Sequence, residues 1–440
     1  MRIAWLAVVL WFELGIFITA GTRCRWPDPA THILLIADPQ ILDQRSYPER
    51  NSFLRAVSRI FVDMNLRKAW RVAKGTHPHA VIFLGDMMDN GFADMPIEEY
   101  QESIRRFRSI FSAPRSLPVY YIPGNHDVGL GNRQGTSTSA RYRYKTVFGP
   151  LAQQAFLGGH SLFMIDAPAL VDEDWHREES GRNRTAGLPQ ELAYLRHIRA
   201  QHNADAPLIL FTHIPLYRLP GSSCGPLREK GSLPAVRGQG YQTLFTPETS
   251  QLLLNELQPT LIFSGDDHDY CEYTHTANGR RIPEVTVKSL SIAMGVRQPG
   301  YQLLSLSSEA RTSAHKPCTL PDQLRVYCWV YVPLALGTVL LVAARATLSR
   351  QQRHAAKRSE TLPEHCVVSL QTPLPAPHRR RYPLRVAEGV WAIAWPSLAL
   401  YVIICVTTFC FWEHRLFSYA VSMHSGPSVI IRAQAQACIL

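Results

Sequence analysis

The 440 residues allow one large domain or two, with appendages. The formal charge of +11 is concentrated: nine Lys/Arg against three Glu, a surplus of six, lie between Arg345 and Glu388, so it marks a topology and gives little support to nucleic-acid binding. No CxxC or paired His/Cys spacing occurs, which argues against a structural zinc module.

The first apolar run, "MRIAWLAVVLWFELGIFITAG", reads over 1–22 as a signal peptide or an uncleaved signal anchor. Glu13 in mid-run is costly in lipid unless it finds a partner. Either reading sends the following domain, 23–324, across a membrane. Within it, buried strands are expected at 32–38, 80–86, 119–125, 160–166, 207–213 and 260–266. Helix-compatible patterns lie at 51–74, 96–112, 188–202 and 247–257, and long loops at 128–150, 167–187 and 217–246. "CEYTHT", "EVTVKSL" and "YQLLSLS" add strands near the end. This alternation predicts an α/β domain around a largely parallel sheet.

Two uncharged stretches follow, 326–344 and 389–412. Each is long enough for a transmembrane helix through a hydrocarbon core of about 30 Å. The basic loop 345–388 between them is expected in the cytosol, leaving 23–324 and the tail 413–440 in the lumen. "NRT" at Asn183–Thr185 is a glycosylation sequon in that lumenal region. Cys24, Cys224, Cys271 and Cys318 lie there too, where disulfides persist, with their pairing left open.

Five of the six strands stop on a polar residue able to hold a metal, at or just past the tip: Asp38, Asp86, Asn125, His213 and Asp266. One Asp at a strand exit often only caps the next helix. Five of matching chemistry, at the end of the strands where α/β sheets gather ligands, point to a shared metal site. "SGDDHDYC" (264–271) crowds three carboxylates around His268. That density is unfavourable unless a cation sits beside it.

The blocks "ADPQ" (37–40), "GDMMDNG" (85–91), "GNHD" (124–127), "FTHIPLY" (211–217) and "SGDDHDY" (264–270) follow the order and form of the calcineurin-like metallophosphoesterases. With "PLYR", "CGPLRE" and "GYQ", the chain resembles their membrane-bound eukaryotic branch, particularly its fungal members. The resemblance implies a four-layer α/β/β/α sandwich with a dinuclear centre at one edge. By motif, Asp38 binds the first metal, Asp86 bridges both, and Asn125 and His213 bind the second. The family's Gly-His-x-His becomes Gly265-Asp266-Asp267-His268, placing Asp266 and His268 in the two ligand slots. Its Asp-x-His becomes Asp38-Pro39-Gln40, with Gln40 in the His position. Oxygen donors in place of two imidazoles favour Mn²⁺ or Mg²⁺ over Zn²⁺.

His126 is the expected catalytic acid or charge stabiliser, oriented by Asp127. Arg218, Arg228 and Tyr241 are candidates to hold phosphate or glycan hydroxyls. Asp267 and Asp269 receive no role beyond a supporting or solvated one. The resemblance implies a two-metal phosphodiesterase in the endoplasmic reticulum membrane, with the early Golgi as the alternative location. Its implied substrate is ethanolamine phosphate on a mannose of a GPI-anchor glycan. GPI-anchored proteins, and cargo receptors, are the partners to consider. The alternatives are a lumenal phosphoesterase of another substrate and a non-catalytic trafficking receptor with a degenerate site.

Overall fold

The structure is a computed structural model that describes residues 1–27, 30–130, 138–179, 206–238 and 240–360, with Trp391 and a few single positions between 193 and 200. The chain divides into two compact units, Trp11–Leu334, and Met1–Leu10 with the chain from Ala335.

The larger unit is built on two mixed sheets. The first has the order β13-β12-β1-β2-β3 and the second β10-β11-β9-β6-β5-β4. In the first, β1 (Thr31–Ile36), β2 (Ala80–Phe83) and β3 (Val119–Tyr121) are parallel. Antiparallel β12 (Gly300–Ser307) and β13 (Thr312–Thr319) extend that sheet. In the second, β5 (His160–Met164), β6 (Leu208–Phe211), β9 (Leu261–Ser264) and β11 (Arg280–Thr286) are parallel. Its antiparallel edges are β4 (Gln153–Leu157) and β10 (Cys271–Ala277). A further two-residue pair joins β7 (Arg237–Gly238) to β8 (Tyr241–Gln242). All six expected strands form, but around two sheets with antiparallel edges.

Alternating side chains explain the cores. Ile33 and Leu35 of β1 share one apolar cluster with Leu162, Ile209 and Phe263 of the other sheet. Leu34 and Ile36, one residue out of phase, pack with helix α3 (Ser52–Lys74) and helix α4 (Ile97–Ile110). On α3, Val62, Leu66, Ala69, Trp70 and Ala73 form a buried stripe at helical spacing, and the Asn51 side chain caps it by accepting from Leu54 N–H. Phe163 and Leu210 face a third cluster with the helix Pro247–Leu257, capped by Thr246.

Two expected loops contain helices, Thr138–Phe148 and Ala167–Glu179. In the first, Ala140, Tyr144 and Phe148 recur every four residues as its buried stripe. The expected helix at 188–202 and the sequon Asn183 lie, apart from single positions, outside the described residues, as does 389–412 apart from Trp391.

Among the described residues, two helices are long and apolar enough to cross a membrane, Arg2–Arg23 and Gln323–Ala356. The second belongs to a helix running on to Glu360, beyond the expected span end at 344. Glu13 finds the partner it needs: its carboxylate accepts from Lys68 Nζ at 2.7 Å and from Tyr331 Oη at 2.6 Å. Disulfides pair Cys24 with Cys318 and Cys224 with Cys271.

Candidate metal centre

The parallel strands aim their carboxyl ends at one edge, and the chain bends sharply there. Asp38, Asp86, Asp266 and His268 all adopt left-handed backbone conformations, with φ of 45°, 53°, 66° and 70°. Such conformations cost non-glycine residues of order 1 kcal/mol each, and they concentrate where function requires them. Two glycines allow the approach. A Cβ on Gly124 would sit 2.0 Å from Asp86 Oδ1, and one on Gly85 would sit 2.3 Å from His213 Nδ1.

These bends bring together two groups of ligand-competent atoms, each lying within 4.8 Å: Asp38, Asp86 and His268, and Asp86, His213 and Asp266. Asp86 belongs to both. His213 Nε2 lies 3.3 Å from Asp86 Oδ1, 3.5 Å from Asp266 Oδ1 and 3.0 Å from Asn125 Oδ1. Its Nδ1 lies 2.7 Å from the Leu84 carbonyl, an outer contact that leaves Nε2 as the ligand atom. Gln40 donates from Nε2 to Asp86 Oδ2 at 2.9 Å. It therefore meets the bridging carboxylate as a hydrogen-bond donor.

The electrostatics fit cations. Asp38 is fully buried, and its Oδ2 has no hydrogen-bond partner. Burial holds its carboxyl well above the usual range, against the pull of His213 and with the added repulsion of Asp86 and Asp266. Burial drives the His268 imidazole down to about 4, keeping it neutral as a metal ligand must be. Burial likewise opposes the charge on His213, but Asp86 and Asp266 outweigh it and raise that imidazole, so a proton holds the place of a cation. An orphaned carboxylate oxygen, three crowded aspartates and a neutral imidazole make a donor set for divalent ions.

His126 stands beside this group, its backbone N–H donating to Asp86 Oδ1 at 2.9 Å. Its orienting partner is not Asp127: ring Nδ1 lies 2.6 Å from the Asp89 carbonyl. Asp127 instead accepts from Gly124 N–H at 3.0 Å and Met88 N–H at 3.1 Å, tying two ligand loops together. The physical reason is local: in the single turn Asn125–Val128 the Asp127 carboxylate folds back onto the turn's own first N–H.

The two arginines expected at the substrate are engaged by carboxylates of the chain. Arg218 is 1% exposed and pairs with buried Glu284 at 3.0 Å, while its Nη1 reaches Cys271 Sγ at 2.9 Å. It is a core cation. Arg228 clasps Asp267 with contacts of 2.5 and 3.1 Å, and its side chain is 3% exposed. Tyr241, on β8, is exposed, its ring lying against Gly238.

The "SGDDHDYC" stretch thus alternates. Asp266 and His268 face the metal group, while Asp267 and Asp269 hold the long loop before it. Asp269 accepts from Glu229 N–H and Lys230 N–H, each at 2.8 Å. Lys288 bridges Glu229 at 2.6 Å and Asp269 at 3.4 Å. Next to it, Ser289 donates from Oγ to the Asp38 carbonyl and from N–H to the His268 carbonyl, at 2.8 and 2.9 Å. Glu229, Lys288 and Ser289 were not expected in supporting roles; for Asp267 and Asp269 the choice stood between a supporting and a solvated role, and their contacts are supporting.

The calcineurin-like phosphoesterase family model matches residues 31–270, which contain every one of these ligands. The chain belongs to the calcineurin-like phosphoesterases. "Cell division control protein 1" of Saccharomyces cerevisiae is 31% identical over 359 residues, covering 74% of this chain and 70% of that protein. Metallophosphoesterase 1 of Ailuropoda melanoleuca is 28% identical over 361 residues, covering 76% and 86%. The same-named protein of Gallus gallus is 26% identical over 361 residues, covering 77% and 87%. As a calcineurin-like phosphoesterase with this ligand cluster, the chain is a metal-dependent hydrolase of phosphoric esters.

Proposed function

We propose that the chain is a membrane-anchored phosphodiesterase that removes ethanolamine phosphate from a mannose of the GPI-anchor glycan, in the lumen of the endoplasmic reticulum. The observation that carries the chemistry is the pair of ligand groups sharing Asp86. Asp38, Gln40, Asp86 and His268 would hold one divalent ion, and Asp86, Asn125, His213 and Asp266 the other. Oxygen donors outnumber imidazoles in this set, which favours Mn²⁺. Bound ions would supply Lewis-acid polarisation of the phosphoryl oxygens and neutralise charge in the transition state.

The chain's own residues do the rest. With its Nδ1–H donated to the Asp89 carbonyl, His126 is left with Nε2 to deliver a proton to the leaving oxygen. Burial would lower this imidazole, but Asp86 and the Asp89 carbonyl outweigh it and raise it, favouring the acid form. Asp127 fixes the backbone that carries Asn125 and His126. Tyr241 is the exposed candidate for glycan contact.

The substrate assignment rests on the resemblance of the motif blocks to the GPI-remodelling branch. Paired cysteines and the apolar helices support a lumenal domain on a membrane. The packing of Phe17 and Glu13 into the larger unit supports an N-terminal anchor that is retained. The three hydrophobic clusters support the four-layer order. In this reading 23–324 is the catalytic domain, 326–344 and 389–412 cross the bilayer around a cytosolic 345–388, and Asn183 carries glycan.

The test is a mass shift of a GPI glycan bearing ethanolamine phosphates, incubated with the detergent-solubilised full chain and Mn²⁺. The expected result is loss of one ethanolamine phosphate, absent with Asp86→Asn. Cleavage of a generic phosphodiester without that loss would overturn the substrate, and no cleavage at all would point to a receptor.

A further inference from the structure

The N-terminal apolar helix and the end of β13 flank an open cavity of about 430 Å³ that none of the candidate metal ligands lines. Its lining changes character along the helix. Trp11 and Ile16 line it toward the middle of the apolar run, and Arg23 at the lumenal end. The twelve steps from Trp11 to Arg23 span about 18 Å at 1.5 Å each. Lys316 and Leu320 contribute from β13 and just beyond it.

The backbone segments that carry the two cations are joined covalently. Arg23 immediately precedes Cys24, and Lys316 lies two residues before Cys318, on the same face of its strand. The Cys24–Cys318 disulfide therefore fixes both bases beside one crosslink. Arg23 and Lys316 are exposed, and among the described residues neither pairs with a carboxylate. An apolar wall leading to two unpaired bases, at the level where an apolar helix leaves the hydrocarbon, matches a lipid with an anionic head.

We propose that this cavity binds the phosphate headgroup of an anionic membrane phospholipid, with Arg23 and Lys316 on the phosphate and Trp11 and Ile16 along an acyl chain. The proposal rests on Arg2–Arg23 lying in a membrane, and not on the identity of the hydrolysed ester. A lipid seated there would hold the lumenal domain close to the bilayer surface, where lipid-linked substrates reside.

The experiment compares full-length wild type with an Arg23→Gln, Lys316→Gln double variant, both placed in nanodiscs of phosphatidylcholine doped with phosphatidylinositol. Native mass spectrometry after release reads the ratio of phosphatidylinositol to phosphatidylcholine adducts. Each base near a membrane surface is worth roughly fivefold in anionic-lipid affinity, so the double variant should lose on the order of twenty-five-fold. Arg55→Gln, a half-buried change on α3 outside the cavity lining, should lose none. Equal ratios in wild type and double variant would overturn the proposal. Stripping of the wild-type adduct by inorganic phosphate would assign the site to a free anion and overturn the lipid. Wild type released from membranes by alkaline carbonate would remove the membrane placement and the proposal with it. Should the double variant fail to fold, Lys316→Gln alone should lose about fivefold, and no loss there counts equally against the site.

Discussion

Asp38→Asn should stabilise this protein without divalent ions, and divalent ions should offset that gain. In the ion-free protein Asp38 Oδ2 is buried and unpartnered, within 4.8 Å of the ligand atoms of Asp86 and His268. At an effective dielectric of about 20, the repulsion between two carboxylates at that limit is roughly 3 kcal/mol. Attraction to His213, whose Nδ1 lies 3.9 Å from Asp38 Oδ1, returns about 4 kcal/mol on the same scale. The two nearly cancel, and burial decides. An enclosed polar group without a partner costs about 1–3 kcal/mol. The sign follows from linkage: burial raises this carboxyl in the folded state, so ionisation above the unfolded value opposes folding. Asparagine keeps the side-chain oxygen that accepts from Asp266 N–H at 3.1 Å and removes the charge. In chelator, the variant should therefore be more stable by about 1–3 kcal/mol, or roughly 2–4 °C in melting temperature per kcal/mol. With Mn²⁺ it has lost a charged ligand. A tenfold to hundredfold loss of ion affinity would withdraw about 1.4–2.7 kcal/mol of ligand-linked stability. Thermal unfolding of both proteins in EDTA and in Mn²⁺ gives four midpoints. A destabilised variant in EDTA, or a shift of equal size in both media, would refute the electrostatic argument.

Three further outcomes follow from the surroundings of the site. Asp267→Ala leaves the Arg228 guanidinium with only the Gly231 and Tyr270 carbonyls and no carboxylate, and should cost about 3–5 kcal/mol in denaturant unfolding. Arg228→Gln with Asp267→Asn should cost less than the two single changes summed, and strict additivity would contradict a direct pair. Arg218→Gln should lower stability through the loss of its pair with Glu284 and leave KM for a phosphodiester unchanged; a raised KM at unchanged stability would restore Arg218 as a substrate contact. Burial would raise the Glu229 carboxyl, but the Lys288 hydrogen bond and the N–H groups of Arg297 and Gln298 outweigh it, lowering it from 4.5 to about 2. Its contribution is therefore present above pH 4.5 and lost as pH falls toward about 2. Glu229→Gln should flatten the acid side of the melting-temperature profile in that window, and parallel wild-type and variant profiles would count against it.

The candidate ligand set was legible because each member follows a strand in sequence, and short β-branched runs ending on Asp, Asn or His keep that signature without any tertiary information. The edges were less legible. β13, "TSAHKPCT", and β4, "QQAFL", are half-exposed edge strands with little apolar alternation. The helix Thr138–Phe148 interleaves Arg141, Arg143 and Lys145 with its three buried residues, which hid their stripe. Arg218 looked like a phosphate contact because its partner Glu284 is 66 positions away on another strand. Arg228 and Asp267 are separated by 39 residues, so the rigidity of the long loop became apparent only when the two met. Pairing of the cysteines is of the same kind: their spacing allows every combination, and the fold selects Cys24 with Cys318 and Cys224 with Cys271.

The central claim is a centre for two ions bridged by Asp86, and counting metal tests it most directly. Elemental analysis of the purified full chain, loaded with Mn²⁺ and freed of excess ion, should give two ions per chain, and fewer than two for Asp86→Asn. One ion or none in the wild type, or an unchanged count in the variant, would contradict it.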